Sequence, residues 1–148
     1  MTDRPSIDEI RTQFATWAQA VQDRDIERIV ATYDPGVVAY DAVLALRFEG
    51  LAAYRGHWEA CLSHCEGPMV FEIYDLAVEA ADDLAFCHGL LRCGGTGADG
   101  ETKTAWMRMT AGLRRREGRW QVLHEHYSVP FDMECRGLFE LQPEGLPE

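Results

Sequence analysis

Asp41 closes a short apolar segment, residues 37–42, in which Val37, Ala39 and Asp41 fall on one side of a strand and Val38 and Tyr40 on the other. A carboxylate there can shuttle a proton between two carbons of an enone if apolar walls surround it. The alternative is a strand-end aspartate bonding nearby backbone amides. Glu125 lies in a second candidate stretch, residues 120–130, where β-branched, aromatic and aliphatic residues predict a long strand stopped by Pro130. Period two puts Leu123, Glu125 and Tyr127 on one face and His124 and His126 on the other. If Glu125 points inward, it is a second buried carboxylate beside Asp41, and two acids with pKa values pushed apart make an acid/base pair. The His-x-His pair needs a third ligand to hold a metal, and His88 is the obvious histidine on a neighbouring strand. His57, Cys61 and Cys65 recur at four-residue steps along one helical stripe; such side chains can bind metal or simply pack.

The elements that position these residues are legible in order. Ser6-Ile7-Asp8-Glu9 predicts a capping-box helix start, with Ile7, Ile10, Phe14, Trp17 and Val21 on one face. Asp25 can cap a second helix with the face Ile26, Ile29, Val30 and Tyr33, ended by the turn Asp34-Pro35-Gly36. After the short strand, Gly50 opens a third helix over 51–65, with the stripe Tyr54, Trp58, Cys61, Leu62 and Cys65. A meander follows: strands over 69–80 and 84–93, a glycine-rich loop over 94–100, a strand over 102–116 and a tight turn at Glu117-Gly118. The glycine loop has no lysine and strands on both sides, so it reads as a hairpin loop, not a phosphate cradle. The order α-α-β-α-β-β-β-β is α+β. It predicts a cone-shaped, curved antiparallel sheet with three helices on its concave side and a pocket at the wide end.

One domain accounts for all 148 residues, with 131–148 a partly ordered tail. The net charge of −11 argues against a phosphate-backbone reader, and the cluster Arg114-Arg115-Arg116 reads as a solvated hairpin end. No apolar run reaches the roughly 20 residues that span a bilayer, and the amino-terminus lacks the pattern of a signal peptide. A soluble, cytoplasmic protein with no membrane partner is expected. Five cysteines, an odd number without a Cys-x-x-Cys, fit free thiols in a reducing compartment. No cofactor is implied, because there is no dinucleotide fingerprint.

The stretches 33–41, Glu49-Gly50-Leu51 and 118–130, with their Asp-Pro-Gly turn and Trp…His-x-His-x-Ser strand, resemble the nuclear transport factor 2-like superfamily. They are most similar to its SnoaL-like branch, which includes the association domain of calcium/calmodulin-dependent protein kinase II, and more distantly to delta-5-3-ketosteroid isomerase. The similarity runs from about Ile7 to Pro130. It implies a general-base role for Asp41, an inward face for Leu123, Glu125 and Tyr127 with His124 and His126 on the convex face, and at least a homodimer through the sheet. It also implies ligand contacts near Trp17, Tyr33, Tyr54, Trp58, Arg108, Thr110 and Tyr127. The isomerase pattern is departed from at its oxyanion hole: Trp17 stands for a helix tyrosine, and Thr110 stands for an acid. The kinase domain's pocket arginines are replaced by Leu91, Ala111 and Tyr127, leaving Arg92 and Arg108 as local substitutes. One fold hosts many functions. Three readings therefore stand: isomerase-, cyclase- or dehydratase-type proton transfer on a small apolar ligand, non-catalytic binding of such a ligand, and an oligomerisation hub.

Overall fold

The computed structural model describes residues 4–145. Helix α1 (Arg4–Gln22) buries Ile10, Phe14, Trp17 and Val21, the face that the spacing predicts. It starts upstream of the expected capping box: Pro5 sits in its first turn, where a missing N–H costs nothing, and Ser6 is buried inside the helix. Helix α2 (Ile26–Val30) is capped by Asp25, whose carboxylate accepts the Arg28 N–H at 3.3 Å.

Tyr33 does not extend α2. It opens strand β1 (Tyr33–Tyr40), and Asp34-Pro35-Gly36 forms an irregularity inside that strand rather than a turn before it. Proline has no N–H to give a ladder, so the chain loops out there. The Asp34 carboxylate holds the loop by accepting the Gly36 N–H at 2.8 Å and the Arg116 guanidinium at 2.6 Å. The two-residue strand β2 (Phe48–Glu49) pairs with β1 and leads into α3 (Leu51–Ser63), two residues shorter than the spacing predicts.

Strands β3 (Met69–Ala81), β4 (Leu84–Thr96), β5 (Thr102–Arg116) and β6 (Arg119–Ser128) are the predicted meander. The sheet order is β2-β1-β6-β5-β4-β3. It is a curved six-stranded mixed sheet, because β1 runs parallel to β6 while every other pair is antiparallel. The glycine-rich loop is shorter than predicted, since Gly94 and Gly95 pair with Thr104 and Lys103 inside the sheet. Gly94 is required there: a Cβ would lie 1.9 Å from the Lys103 carbonyl oxygen.

The core lies between the concave face and α1 and α3, with Trp17, Tyr33, Tyr54, Leu91, Met109 and Leu113 among its most buried side chains. In β6 the alternation is broken once. Gly112 faces His124 but Leu113 faces Val122, so Leu123 is an extra, bulged residue. Trp120 and Val122 before the bulge, and Glu125 and Tyr127 after it, all point inward. Leu123 is turned to the outer face, away from the face it would share with Glu125 by simple alternation. Beyond β6 the chain makes a small turn, with Phe131 bridged to Gly137 and the Phe131, Met133 and Phe139 side chains exposed. Among the described residues no helix is long and apolar enough to cross a membrane.

Candidate functional site

Between α3 and the concave sheet face lies a cavity of about 170 Å³, walled by Val21, Trp58, Leu62, Phe71, Leu91 and Met107. The carboxylate Asp41 and the phenol Tyr127 interrupt this apolar wall, and Cys61, Cys65 and Cys93 line it too. The larger hollow on the outer face, lined by Leu84, Phe86, Gly112 and Leu123, contains one carboxylate, Glu79. It brings no pair of chemically opposed groups together, so the smaller inner cavity is the better candidate.

Asp41 uses its two oxygens differently. Oδ1 accepts the Val43 N–H at 3.1 Å, the strand-end contact expected of an aspartate at this place. Oδ2 lies 3.2 Å from His57 Nε2, and both side chains are largely buried. His57 is held as a flat plate: Phe48 stacks on it at 4.1 Å and Tyr54 lies nearly parallel at 6.1 Å. The Cys61 sulfur is 3.7 Å from Nε2, one helical turn away. Burial, with the charge of Asp41, pushes the Cys61 thiol up to about 11, so it is a neutral thiol, not an activated nucleophile. Among the described residues no three His, Cys, Asp or Glu side chains group in a way that could hold a metal ion. This covers both the His57-Cys61-Cys65 stripe and the His124–His126 pair.

Behind Tyr127, Glu125 is fully buried. Its Oε1 accepts the hydroxyls of Tyr33 at 2.6 Å and Tyr54 at 2.5 Å, and its Oε2 accepts that of Tyr127 at 2.9 Å. Burial raises the Glu125 pKa to about 7; the three phenols pull it down and Asp41 pushes it up. The three tyrosines are themselves raised well above 10, first by burial and then by the Glu125 charge. The Trp17 indole lies near enough to Tyr33 to oppose that rise, yet makes no hydrogen bond. Trp58, on the cavity wall, also has an indole N–H without an acceptor.

The residues singled out from the sequence thus fall in four places. Asp41, Trp58 and Tyr127 line the cavity. Tyr33, Tyr54 and Glu125 form the closed cluster behind it, and Trp17 packs edge-on against Trp58 at 5.9 Å. Arg108 and Thr110 lie on the opposite face, because Met107, Met109 and Ala111 take the inward positions of β5; Arg108 donates to Ser128 at 3.0 Å. His124 and His126 share that outer face with Tyr40, at ring distances of 4.7 and 5.6 Å. The pairing of His57 with Asp41 is the feature that sequence spacing did not reveal. It joins α3 to the end of β1 across the fold, and local periodicity carries no such information.

The SnoaL-like domain model matches residues 10–132, and the chain belongs to that family. A Pseudomonas putida KT2440 NTF2-like protein of unknown function is 50% identical, with a TM-score of 0.89 over 97% of this chain and 100% of that one. The calcium/calmodulin-dependent protein kinase type II subunit delta of Oryctolagus cuniculus is 28% identical over 79% of this chain. The chain spans 23% of that curated relative's length. The association domain of the C. elegans kinase has the same fold, with a TM-score of 0.69 at 17% identity over 85% of this chain and 97% of that one.

Proposed function

We propose that this SnoaL-like domain takes a small, largely apolar carbonyl compound into the inner cavity and moves a proton on it, with Asp41 as base. The observation that carries the reading is the Asp41–His57 pair set in an apolar wall. His57 occupies Oδ2 and the Val43 amide occupies one lone pair of Oδ1, which leaves lone pairs of the carboxylate free to take a proton from a ligand in the cavity. The chemistry is of isomerase, cyclase or dehydratase type, and Glu125 is the second acid. The test is deuterium exchange at the α-carbon of 1-indanone in heavy water, followed by proton NMR. Wild type accelerates exchange over buffer, and Asp41→Asn lowers the acceleration by about 10²–10⁴-fold. Equal rates for the two proteins would remove Asp41 from the reaction.

A second reading concerns assembly, and it is compatible with the first. Leu84 and Phe86 of β4 are about half exposed on the outer sheet face, and Tyr40 of β1 is 39% exposed on the same face, with β6 and β5 between them. Isolated apolar side chains need no explanation, but a group on one sheet face favours a homodimer through that face.

A further inference from the structure

We propose that Glu125 gates the Tyr127 hydroxyl, so that Tyr127 donates a hydrogen bond to the carbonyl oxygen of a flat ketone or enone in the cavity only when Glu125 carries a proton. This rests on the reading that the inner cavity is the ligand site.

The division of partners on Glu125 is the basis. Two phenols, Tyr33 and Tyr54, meet Oε1, and one, Tyr127, meets Oε2. Of the three, Tyr127 lines the cavity. With Glu125 charged, all three O–H groups point at it, and Tyr127 shows a bound ligand only oxygen lone pairs. A ligand carbonyl beside it would then meet another acceptor. With a proton on Oε2, the pattern reverses at one place. Oε1 becomes the carbonyl oxygen and keeps two donors, matching its two lone pairs. The Oε2–H donates to the Tyr127 oxygen, and the Tyr127 O–H is freed to turn into the cavity. The charged state satisfies every hydroxyl of the cluster, and the protonated state does so once a ligand carbonyl accepts from Tyr127, so the switch needs no movement of the backbone.

The titratable groups that act on Glu125 come from several elements. They are Tyr33 of β1, Tyr54 of α3, Tyr127 of β6 itself, Cys87 of β4 and Asp41 beyond the end of β1; β5 offers Ala111 opposite it. The balance of burial against three donors brings Glu125 to about 7, where both states are populated near neutral pH. The ligand class follows from the walls. They are apolar and aromatic, with Trp58 and Phe71 beside Leu62, Leu91 and Met107. One hydroxyl donor in these apolar walls, with the Asp41 carboxylate as the other strongly polar group of the lining, suits one carbonyl oxygen on a flat hydrocarbon frame.

The test is the affinity of 1-indanone, which has no titrating group in this range, read from tryptophan fluorescence across pH. Wild-type affinity falls by on the order of tenfold per pH unit above the Glu125 titration, because only the protonated fraction binds well. Glu125→Gln mimics the protonated acid, since its amide accepts from Tyr33 and Tyr54 and donates to Tyr127. It binds as tightly at high pH as wild type does at low pH. Tyr127→Phe binds weakly at every pH and has no step. Asp41→Asn keeps a step but moves it to lower pH, because the Asp41 charge pushes Glu125 up. A pH-independent wild type, a Glu125→Gln protein as weak as Tyr127→Phe, or no binding by any form overturns the gate. A flat affinity profile with Asp41-dependent exchange intact removes the gate and leaves the base. The opposite result removes the base and leaves the gate.

Discussion

Replacing Glu125 by Gln flattens one part of the protein's stability-against-pH curve, and the size of the effect can be worked from the cluster. In the unfolded chain the Glu125 carboxyl titrates near its ordinary 4.5; in the fold it titrates at about 7. Below 4.5 both states hold the proton, and the group costs nothing. Between the two values the unfolded chain releases the proton while the folded one keeps it, so stability falls as pH rises. Above 7 both states are charged and the loss is complete. At about 1.4 kcal/mol per pH unit the loss comes to about 3 kcal/mol. That is a large share of a typical domain's stability. The Gln side chain keeps the three phenol contacts and has no charge to bury. Urea unfolding of both proteins, read from tryptophan fluorescence at steps from about pH 5 to about pH 8, gives two curves. Groups that do not act on Glu125 are common to both proteins and cancel in the difference. The difference in unfolding free energy shifts by about 3 kcal/mol in favour of the variant as pH rises. Parallel curves would refute the buried-acid reasoning and remove the neutral-pH range in which the gate at Tyr127 is expected to switch.

Two further outcomes probe the frame and the assembly. Gly94→Ala forces a methyl into the Lys103 carbonyl and the Thr104 Cα, both backbone, so it costs about 1–3 kcal/mol or more in thermal or urea unfolding. Gly112→Ala is its control, because nothing lies within 4 Å of a Cβ there; equal losses would show that the close approach of β4 and β5 is not the cause. The double change Leu84→Glu with Phe86→Glu places two charges on the outer face. Sedimentation velocity then shows a dimeric wild type and a monomeric variant, and two proteins of equal mass would discard that interface.

The sheet was legible because its signals are local. Asp82-Asp83 and Glu117-Gly118 are two-residue hairpin turns, and Glu117 and Gly118 both take the positive φ of the favoured hairpin geometry. The helix faces were legible for the same reason. The Asp34-Pro35-Gly36 segment shows where local chemistry is ambiguous. It does bond as a turn, with the aspartate reaching its own backbone two residues on, but the strand had already begun at Tyr33. The Leu123 bulge is invisible for a related reason: one extra residue reverses the alternation, and apolar residues are acceptable on both faces of this strand. The parallel pairing of β1 with β6 is set by a crossover of some 80 residues, which no local pattern reports. At the site, Asp41 and Glu125 could be named from where they stand on strands. The partner of Asp41 could not, because His57 earns its place through Phe48 of a two-residue strand and through packing on Tyr54.

The two carboxylates have opposite surroundings, and that contrast is the strongest physical reason to assign them different work. Asp41 meets His57 Nε2 at 3.2 Å and a backbone amide at the cavity wall. Glu125 lies in full burial, where the charged form is costly even with three phenols donating to it. A core that needed only to be filled at this position could use Leu at Glu125 and Phe at the tyrosines without burying any charge. The cost of keeping Glu125 falls away when it holds a proton, and the protonated state is the one that frees a donor on the cavity wall. A base on one wall and a donor that appears on protonation at another are the two groups an enolisable ketone requires: one to take the carbon-bound proton, the other to hold the oxygen on which negative charge develops.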